Sequence, residues 1–269
     1  MIKGGFWDGR LEISTLVNAP KEEPYNTCLF PNCGPITTMV MSKNEQMLIC
    51  GTKLGVILVF QVYDKNIIMK HKLFLYTDEI TSIAINDNLN MLISASKDGY
   101  IMLNTLPTME LIRSLKIKIN KNKNNITNLY ASNVFLSSSP IPVIVIYCSE
   151  AKLFKIYSIN GLNIGEQEEV DYTVNIKCYC IYNNLDFQEF LIYGTDDGLV
   201  KIRQFPNMDL LNSISPFDGE PIETLTMSQD KRYCYVWSKE NQIGLIKDCS
   251  SNNDDKKEDN FGRLGYIQK

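Results

Sequence analysis

An all-β fold, organised as a β-propeller, is predicted by three features of the sequence. The first is a repeat: apolar runs that follow a polar connection begin at Ile36, Ile80, Ile126, Ile176 and Ile222, at spacings of 44, 46, 50 and 46 residues. A period of about 40 to 50 residues indicates a propeller or a solenoid. The second is the shortness of these runs, and the third is their content of β-branched and aromatic residues between turn clusters, which favours strands over helices.

Each repeat has the same internal order, which predicts four strands per unit. An opening strand, ITSIAIN, is followed by a polar turn, a second strand ending in small residues (MLISAS), a tight turn at Lys97-Asp98-Gly99, and an alternating third strand. A fourth strand is expected near Glu110 to Lys116. Glycine and asparagine suit hairpin turns that need positive φ. The residues assigned to structural repeat turns are Asp8, Gly9, Gly55, Asp98, Gly99, Asp197 and Gly198.

The two ends of the chain are expected to be incomplete. The start, GGFWDGRLEISTL, is typical of the second turn and third strand of a unit without its opening strand, and the last unit is expected to end after a third strand near Lys247. Residues 1–248 are therefore predicted to form the propeller region, with four full blades and two partial ones of a seven-blade ring. Residues 249–269 are predicted to be a polar, disordered tail. In the alternative, residues 261–268 return as the missing strand.

An open propeller edge also predicts that the chain is a fragment of a longer protein. The formal charge of −4, from 31 acidic and 27 basic residues, argues against a nucleic-acid partner. No run approaches the 18 apolar residues of a membrane span, and the N-terminal MIKGGFWDGR lacks the apolar core of a signal peptide, so no membrane insertion is expected. Several of the eight cysteines lie inside apolar runs, which favours free thiols and a cytoplasmic, reducing location.

Residues that could carry chemistry each have a simpler structural interpretation, so no catalytic, cofactor or metal site is predicted. His71 is the only histidine and is expected at the surface within KHK. Cys28 and Cys33 lack the second ligand pair that structural zinc needs. Cys178 and Cys180 are interpreted as core thiols on one side of a strand.

Acidic and aromatic residues beside turns also have simpler structural interpretations. Asp98, Asp196 and Asp197 precede or adjoin turn glycines, where aspartate is favoured because its side chain bonds the nearby backbone. Trp7 is interpreted first as a packing residue and second as an anchor for a protein partner.

Several segments resemble the C-terminal WD40 region of BEACH-domain proteins of the neurobeachin and LPS-responsive beige-like anchor type. The most specific is GGFWDGRLEISTL, where Trp7 and Asp8 match the family's Trp-Asp turn. The blade EITSIAINDNLNMLISASKDGYIMLNTLPTMELIRSL, the turn at Ser158 to Gly161, and the segments LIYGTDDGLVKIRQFPNMDLLNSI and PIETLTMSQDKRYCYVWSKENQIGLI are also similar to it. The resemblance covers residues 1 to 248. One departure is that the Gly-His pair and the strand-ending Trp-Asp of WD40 repeats, which form a buried hydrogen-bond relay, do not recur here.

The resemblance implies a WD40-type propeller in a large cytosolic protein with PH-like and BEACH domains upstream. Such a protein acts as a scaffold for other proteins in vesicle trafficking, membrane-protein sorting or autophagy, peripheral to vesicle or endolysosomal membranes. Two alternatives remain open. One is a free-standing WD40 adaptor subunit of another complex, and the other is a propeller hydrolase with a site at its central channel.

Overall fold

The computed structural model describes the chain in segments. These are residues 2–4, 10–13, 26–42, 46–63, 66–117, 131–137, 143–150, 153–160, 163–171, 175–183, 188–228, 233–248 and 261–266. Within these ranges the regular structure is entirely β, so the predicted all-β class is confirmed. None of the described residues belongs to a helix that could cross a membrane.

The strands form antiparallel sheets in which neighbours in sequence are neighbours in space. The first sheet has three described strands: β1 (Ile2–Gly4), β2 (Arg10–Ile13) and β3 (Asn26–Leu29). The second contains β4 (Ile36–Met41), β5 (Met47–Thr52), β6 (Val56–Tyr63) and β7 (Asn66–Phe74). The third contains β8 (Ile80–Asn86), β9 (Met91–Ser96), β10 (Tyr100–Thr105) and β11 (Leu111–Lys116).

The remaining strands continue the pattern. The fourth sheet contains β12 (Asn133–Leu136), β13 (Val143–Cys148), β14 (Leu153–Asn160) and β15 (Asn163–Asp171). The fifth contains β16 (Ile176–Asn183), β17 (Glu189–Thr195), β18 (Val200–Phe205) and β19 (Leu210–Ile214). The sixth contains β20 (Ile222–Met227), β21 (Tyr233–Ser238), β22 (Ile243–Asp248) and β23 (Phe261–Tyr266).

The chain divides into two compact units. The first, Met1–Glu169, holds the first four sheets apart from the last two residues of β15, and the second, Val170–Lys269, holds the fifth and sixth sheets. In the first unit, apolar clusters pack between the first and second sheets, between the second and third, and between the third and fourth. In the second unit, a cluster packs between the fifth and sixth. Each described core therefore lies between the faces of neighbouring sheets.

The periodic isoleucines of the sequence have a packing role. Ile80 opens the third sheet and lies over Gly51 of β5, where an added Cβ would sit 2.5 Å from Ile80 Cγ2. In the second unit, Ile222 opens the sixth sheet and lies over Gly194 of β17, with a corresponding distance of 2.4 Å. The small residue at the end of a second strand thus makes room for the isoleucine that opens the next sheet.

A β-bulge also recurs after the first residue of the opening strand. The bulge lets the backbone turn and changes which side chain faces the neighbouring sheet. The register shifts between Ile36 and Thr38, between Ile80 and Ser82, between Ile176 and Cys178, and between Ile222 and Thr224.

One hydrogen bond between neighbouring sheets recurs at the start of the third and fourth sheets. Ile126, which the sequence predicts to open the third repeat, lies outside the described residues. Thr37 Oγ1 donates to the Ile80 carbonyl at 2.6 Å, and Thr81 Oγ1 donates in the same way to the Ala131 carbonyl at 2.5 Å. Ala131 therefore occupies, before the fourth sheet, the position that Ile80 occupies at the start of the third.

The C-terminal segment also differs from the prediction for residues 249–269. Phe261–Tyr266 forms β23, which pairs with β22 from Gly244↔Tyr266 to Asp248↔Phe261. The sixth sheet thus has four strands instead of ending near Lys247. The pairing satisfies backbone hydrogen-bonding groups along the edge of β22, an interaction that a polar composition does not reveal.

Candidate functional site

The turns between second and third strands lie at one end of their sheets, beside the connections that enter the next sheet. Gly55, Gly99 and Gly198 have φ values of 75°, 85° and 80°. A Cβ on Gly55 would lie 2.5 Å from the Tyr76 carbonyl oxygen, and one on Gly198 would lie 2.4 Å from the Gly219 carbonyl carbon. Both the backbone conformation and the space require glycine at these two turns.

A shared backbone hydrogen bond ties each turn to the start of its own sheet. The first turn residue donates its N–H to the carbonyl of the residue just before the opening isoleucine. The pairs are Lys53 to Pro35, Lys97 to Glu79, Asp196 to Asn175, and Lys239 to Pro221, at 2.9 to 3.2 Å. Turns and connections therefore form one continuous surface at this end of each sheet.

Both carboxylate oxygens of Asp98 are engaged within this surface. Oδ2 accepts hydrogen bonds from the Thr77 N–H at 3.0 Å and from Thr77 Oγ1 at 3.2 Å, while Oδ1 accepts from the Tyr100 N–H at 3.0 Å. Beside it, Lys97 Nζ lies 2.7 Å from Glu79 Oε2. These contacts hold the turn against the connection and give Asp98 a positioning role.

The equivalent turn in the second unit uses its two aspartates differently. Asp196 Oδ1 accepts from the Asn175 N–H at 3.3 Å, and its Oδ2 accepts from Asn175 Nδ2 at 2.6 Å. Asp197 Oδ1 accepts from Thr195 Oγ1 at the end of β17. Each of the two carboxylates thus accepts hydrogen bonds from a different residue.

Trp7, Asp8, His71 and Cys33 are further residues that the sequence analysis considers. Trp7, Asp8 and Gly9 lie outside the described residues. His71 is half-buried within β7 instead of exposed at the surface. Cys33 is buried, with its thiol 3.6 Å from the Pro31 carbonyl oxygen.

The described segments contain no group of three or more His, Cys, Asp or Glu side chains placed to hold a metal ion.

A buried relay built on Tyr76 was missed by the sequence analysis. The Tyr76 hydroxyl donates to the Ser94 carbonyl at 2.7 Å, lies 2.8 Å from Ser94 Oγ, and accepts from the Met102 N–H at 3.1 Å. Burial raises the pKa of Tyr76 above its usual range, so the phenol stays protonated. The third sheet therefore has a buried polar relay that contains no histidine.

A second buried polar contact, in the fifth sheet, involves Arg203. Its Nε donates to the Tyr193 hydroxyl at 2.8 Å and its Nη1 to the Met208 carbonyl at 2.7 Å. Burial raises the pKa of Tyr193, and the Arg203 hydrogen bond and charge partly oppose that shift. Arg203 thus fixes the connection between β18 and β19 from inside the sheet.

The cysteine environments favour protonated thiols. Burial raises the pKa of Cys50 to about 12 and that of Cys178 to about 11. A hydrogen bond with the Cys234 thiol, together with burial, raises the pKa of Cys180. Because the thiolate is the nucleophile, these cysteines are poorly suited to covalent catalysis at neutral pH.

The turns and connections form a surface that is supported by internal hydrogen bonds. The polar groups at the turns hold backbone segments together.

Comparison with known proteins places the fold. No protein-family model matches the sequence. A sequence relative is BEACH domain-containing protein B from Arabidopsis thaliana, which is 27% identical over 166 residues. The matched region is 62% of this chain and only 6% of that protein, so the chain spans a small part of its relative's length.

Solved structures resemble the chain over most of its length. The Cps50 (Swd1) β-propeller domain from Myceliophteria thermophila has a TM-score of 0.64 and 14% identity, over 86% of this chain and 70% of that one. U3-55K has a TM-score of 0.66 and 12% identity, over 92% and 73%. A functionally unknown protein from Desulfotomaculum acetoxidans DSM 771 has a TM-score of 0.71 and 10% identity, over 97% and 76%. At these identities the likeness concerns the fold, which is all-β and of the β-propeller class.

Proposed function

We propose that the chain is a non-enzymatic protein-interaction scaffold and that it serves as the WD40 propeller region of a BEACH-type protein. The observation that carries the proposal is the sequence similarity to BEACH domain-containing protein B across 62% of the chain. The propeller fold supports it, because broad loop surfaces on a rigid framework suit binding to other proteins.

The chemistry of the turns supports the non-enzymatic part of the proposal. Asp98 and Asp196 are committed to holding neighbouring backbone segments, and the cysteines of raised pKa are poor nucleophiles. A hydrolase would instead need accessible groups that converge on one substrate position. Turnover of a hydrolase substrate that is lost in both Asp98→Asn and Asp197→Asn would contradict this part.

The BEACH part of the proposal is tested on the endogenous polypeptide. An epitope tag added at the C-terminus of the endogenous polypeptide, at the native locus, allows the size and sequence coverage of that polypeptide to be determined by immunoblotting and mass spectrometry. The proposal predicts a polypeptide far larger than 30.7 kDa that also yields BEACH and PH-like peptides. A polypeptide of about 30.7 kDa would contradict it and favour a free-standing adaptor.

The trafficking role is a separate part of the proposal. Proximity labelling from the same tagged protein is expected to enrich proteins of vesicle or endolysosomal membranes over an untagged control. Enrichment confined to nuclear or secreted proteins would contradict the assignment to membrane-protein sorting, vesicle transport or autophagy.

A further inference from the structure

The three most exposed large hydrophobic side chains among the described residues lie in one region of the first unit. They are Phe74, Leu29 and Leu54, which are 71%, 62% and 57% exposed. Single exposed apolar residues are ordinary, whereas a group of them on a folded surface marks an interaction site. We call this group, together with Lys72, the Phe74 patch.

Contacts between the first and second sheets bring these residues together. Phe74 ends β7, which lies beside β3, whose last residue is Leu29. Leu54 lies in the turn after β5, and its side chain covers Gly34 in the connection that follows β3. The patch is therefore built from one strand end, one turn and one connection.

Lys72 lies within the patch and is held in place. Its Nζ donates to the Pro31 carbonyl at 3.2 Å and lies 5.4 Å from the centroid of the Phe74 ring. An ammonium group has three donors, so Lys72 can bond a carboxylate while it keeps the Pro31 contact. Its position over the ring also orients the charge beside the apolar surface.

Among the described residues around the patch, lysine side chains outnumber carboxylates, although the chain as a whole is acidic. Lys53 precedes Leu54, and Lys70 and Lys72 are exposed on β7. Asp78 is an acidic residue close by, and its Oδ1 accepts a hydrogen bond from the Glu79 N–H at 2.7 Å. Three lysines beside exposed apolar side chains complement a segment that is both acidic and apolar.

We propose that the Phe74 patch binds a short acidic peptide segment of a partner protein. A large apolar side chain of the segment covers Phe74 and Leu54, and a neighbouring carboxylate pairs with Lys72. The inference rests on the proposed scaffold function and adds the chemistry of one partner.

A displayed library of random twelve-residue peptides, selected on the full chain, tests this chemistry. Enriched peptides are expected to carry Asp or Glu next to Trp, Phe or Leu. Binding of the synthesised peptides is then measured by fluorescence polarisation. Phe74→Ser is expected to weaken binding by about tenfold or more, as truncation of an aromatic anchor does.

A charge swap and a matched surface variant control for folding. Lys72→Glu is expected to lower the affinity for the acidic peptide. The same variant is expected to have a higher affinity than the wild type for a peptide in which the acidic residue is replaced by lysine. Leu111→Ser changes a leucine in β11 that is 53% exposed, outside the patch, and is expected to leave affinity unchanged. Rescue by the lysine peptide cannot arise from an unfolded variant.

Each other outcome overturns the patch assignment. Peptides that bind Phe74→Ser and Leu111→Ser equally well would place binding elsewhere and leave the scaffold function standing. Enrichment of peptides without acidic residues, or of none, would contradict the predicted partner chemistry. Phe74-dependent binding to phosphatidylserine vesicles without peptide binding would identify a membrane surface instead of a protein.

Discussion

The third and fifth sheets share a backbone pattern but stabilise it with different polar side chains. Both contain an Asp-Gly turn before the third strand, and a later connection in which a methionine has positive φ, 62° at Met109 and 65° at Met208. Asn104 Nδ2 donates to the Met109 carbonyl at 3.1 Å, whereas Arg203 Nη1 donates to the Met208 carbonyl at 2.7 Å. A neutral amide and a guanidinium thus donate the equivalent hydrogen bond to the methionine carbonyl in the two sheets.

The difference extends to the phenol groups. Tyr76 reaches the third sheet from the preceding connection, while Tyr193 belongs to β17 of the fifth sheet itself and meets Arg203. The third and fifth sheets therefore share their backbone geometry at a few positions. The side chains that form hydrogen bonds with the buried polar groups differ between the two sheets. This is consistent with a propeller whose sequence repeat is weak.

The largest expected effect comes from breaking the shared turn. Gly198→Ala places a Cβ 2.4 Å from the Gly219 carbonyl carbon and 2.7 Å from the Glu220 carbonyl oxygen at a φ of +80°. We expect a loss of about 4 kcal/mol in the free energy of unfolding, since backbone must move. Urea denaturation followed by circular dichroism measures it.

Gly219→Ala is the matched control. Its φ is +92°, and no heavy atom lies within 4 Å of the added Cβ. It is expected to cost about 1 kcal/mol, from backbone strain alone. An equal loss in the free energy of unfolding in the two variants would show that the close approach of the Gly219 backbone to Gly198 is not the reason why the turn requires glycine.

The next largest effect tests whether the two capping side chains are interchangeable. Arg203→Met removes the donors to Tyr193 and Met208 within a buried site and is expected to cost about 3 kcal/mol. Arg203→Asn installs the residue type of Asn104 and is expected to recover about half of that loss by bonding the Met208 carbonyl. If the methionine variant is as stable as the wild type in thermal denaturation, the buried contacts contribute nothing.

A smaller effect is expected for the relay of the third sheet. Tyr76→Phe removes the hydroxyl that bonds Ser94 and Met102 and is expected to cost about 2 kcal/mol. Amide hydrogen exchange should become faster at Met102, whose N–H donates to that hydroxyl. Tyr100→Phe, at the surface, is the control and should change stability by less than about 0.5 kcal/mol. Unchanged exchange at Met102 in Tyr76→Phe would contradict the relay.

The smallest expected effect is a loss of stability at alkaline pH that comes from the Cys50 thiol. The pKa of Cys50 is raised from 9.0 to about 12 in the fold, so the unfolded chain loses this proton first as pH rises. The contribution of the Cys50 thiol to the free energy of unfolding is fully present below pH 9 and declines as the pH rises toward 12. About 1 kcal/mol of it is lost by pH 10. Cys50→Ala should therefore show a shallower decline in urea midpoint between pH 8 and pH 10. An identical slope in both proteins would exclude Cys50 as its source.

Much of the fold is predictable because it depends on local rules. A short alternating run, a glycine that permits positive φ, and a small residue that leaves room for the next isoleucine all leave a mark in the sequence. Gly55, Gly99 and Gly198 lie in such turns. The hydrogen bond from Thr81 to the Ala131 carbonyl leaves no such mark, because it depends on the neighbouring sheet.

The site is less predictable because its residues meet only in the folded chain. Tyr76 and Ser94 come together from different elements of the fold. The sequence around Arg203 has no local pattern that predicts a buried cation. The Phe74 patch joins a strand end, a turn and a connection, none of which is unusual alone. A tyrosine a few residues before an opening isoleucine is the one sequence signal that could have indicated the relay.

The most direct test of the scaffold role is quantitative purification of partners from native cytosol with the folded full chain as bait. The wild type and Leu111→Ser are expected to retain the same discrete proteins in amounts comparable to the bait, and Phe74→Ser to retain at least one of them about tenfold less. If the folded wild-type chain retains no protein above background, the interaction role is contradicted.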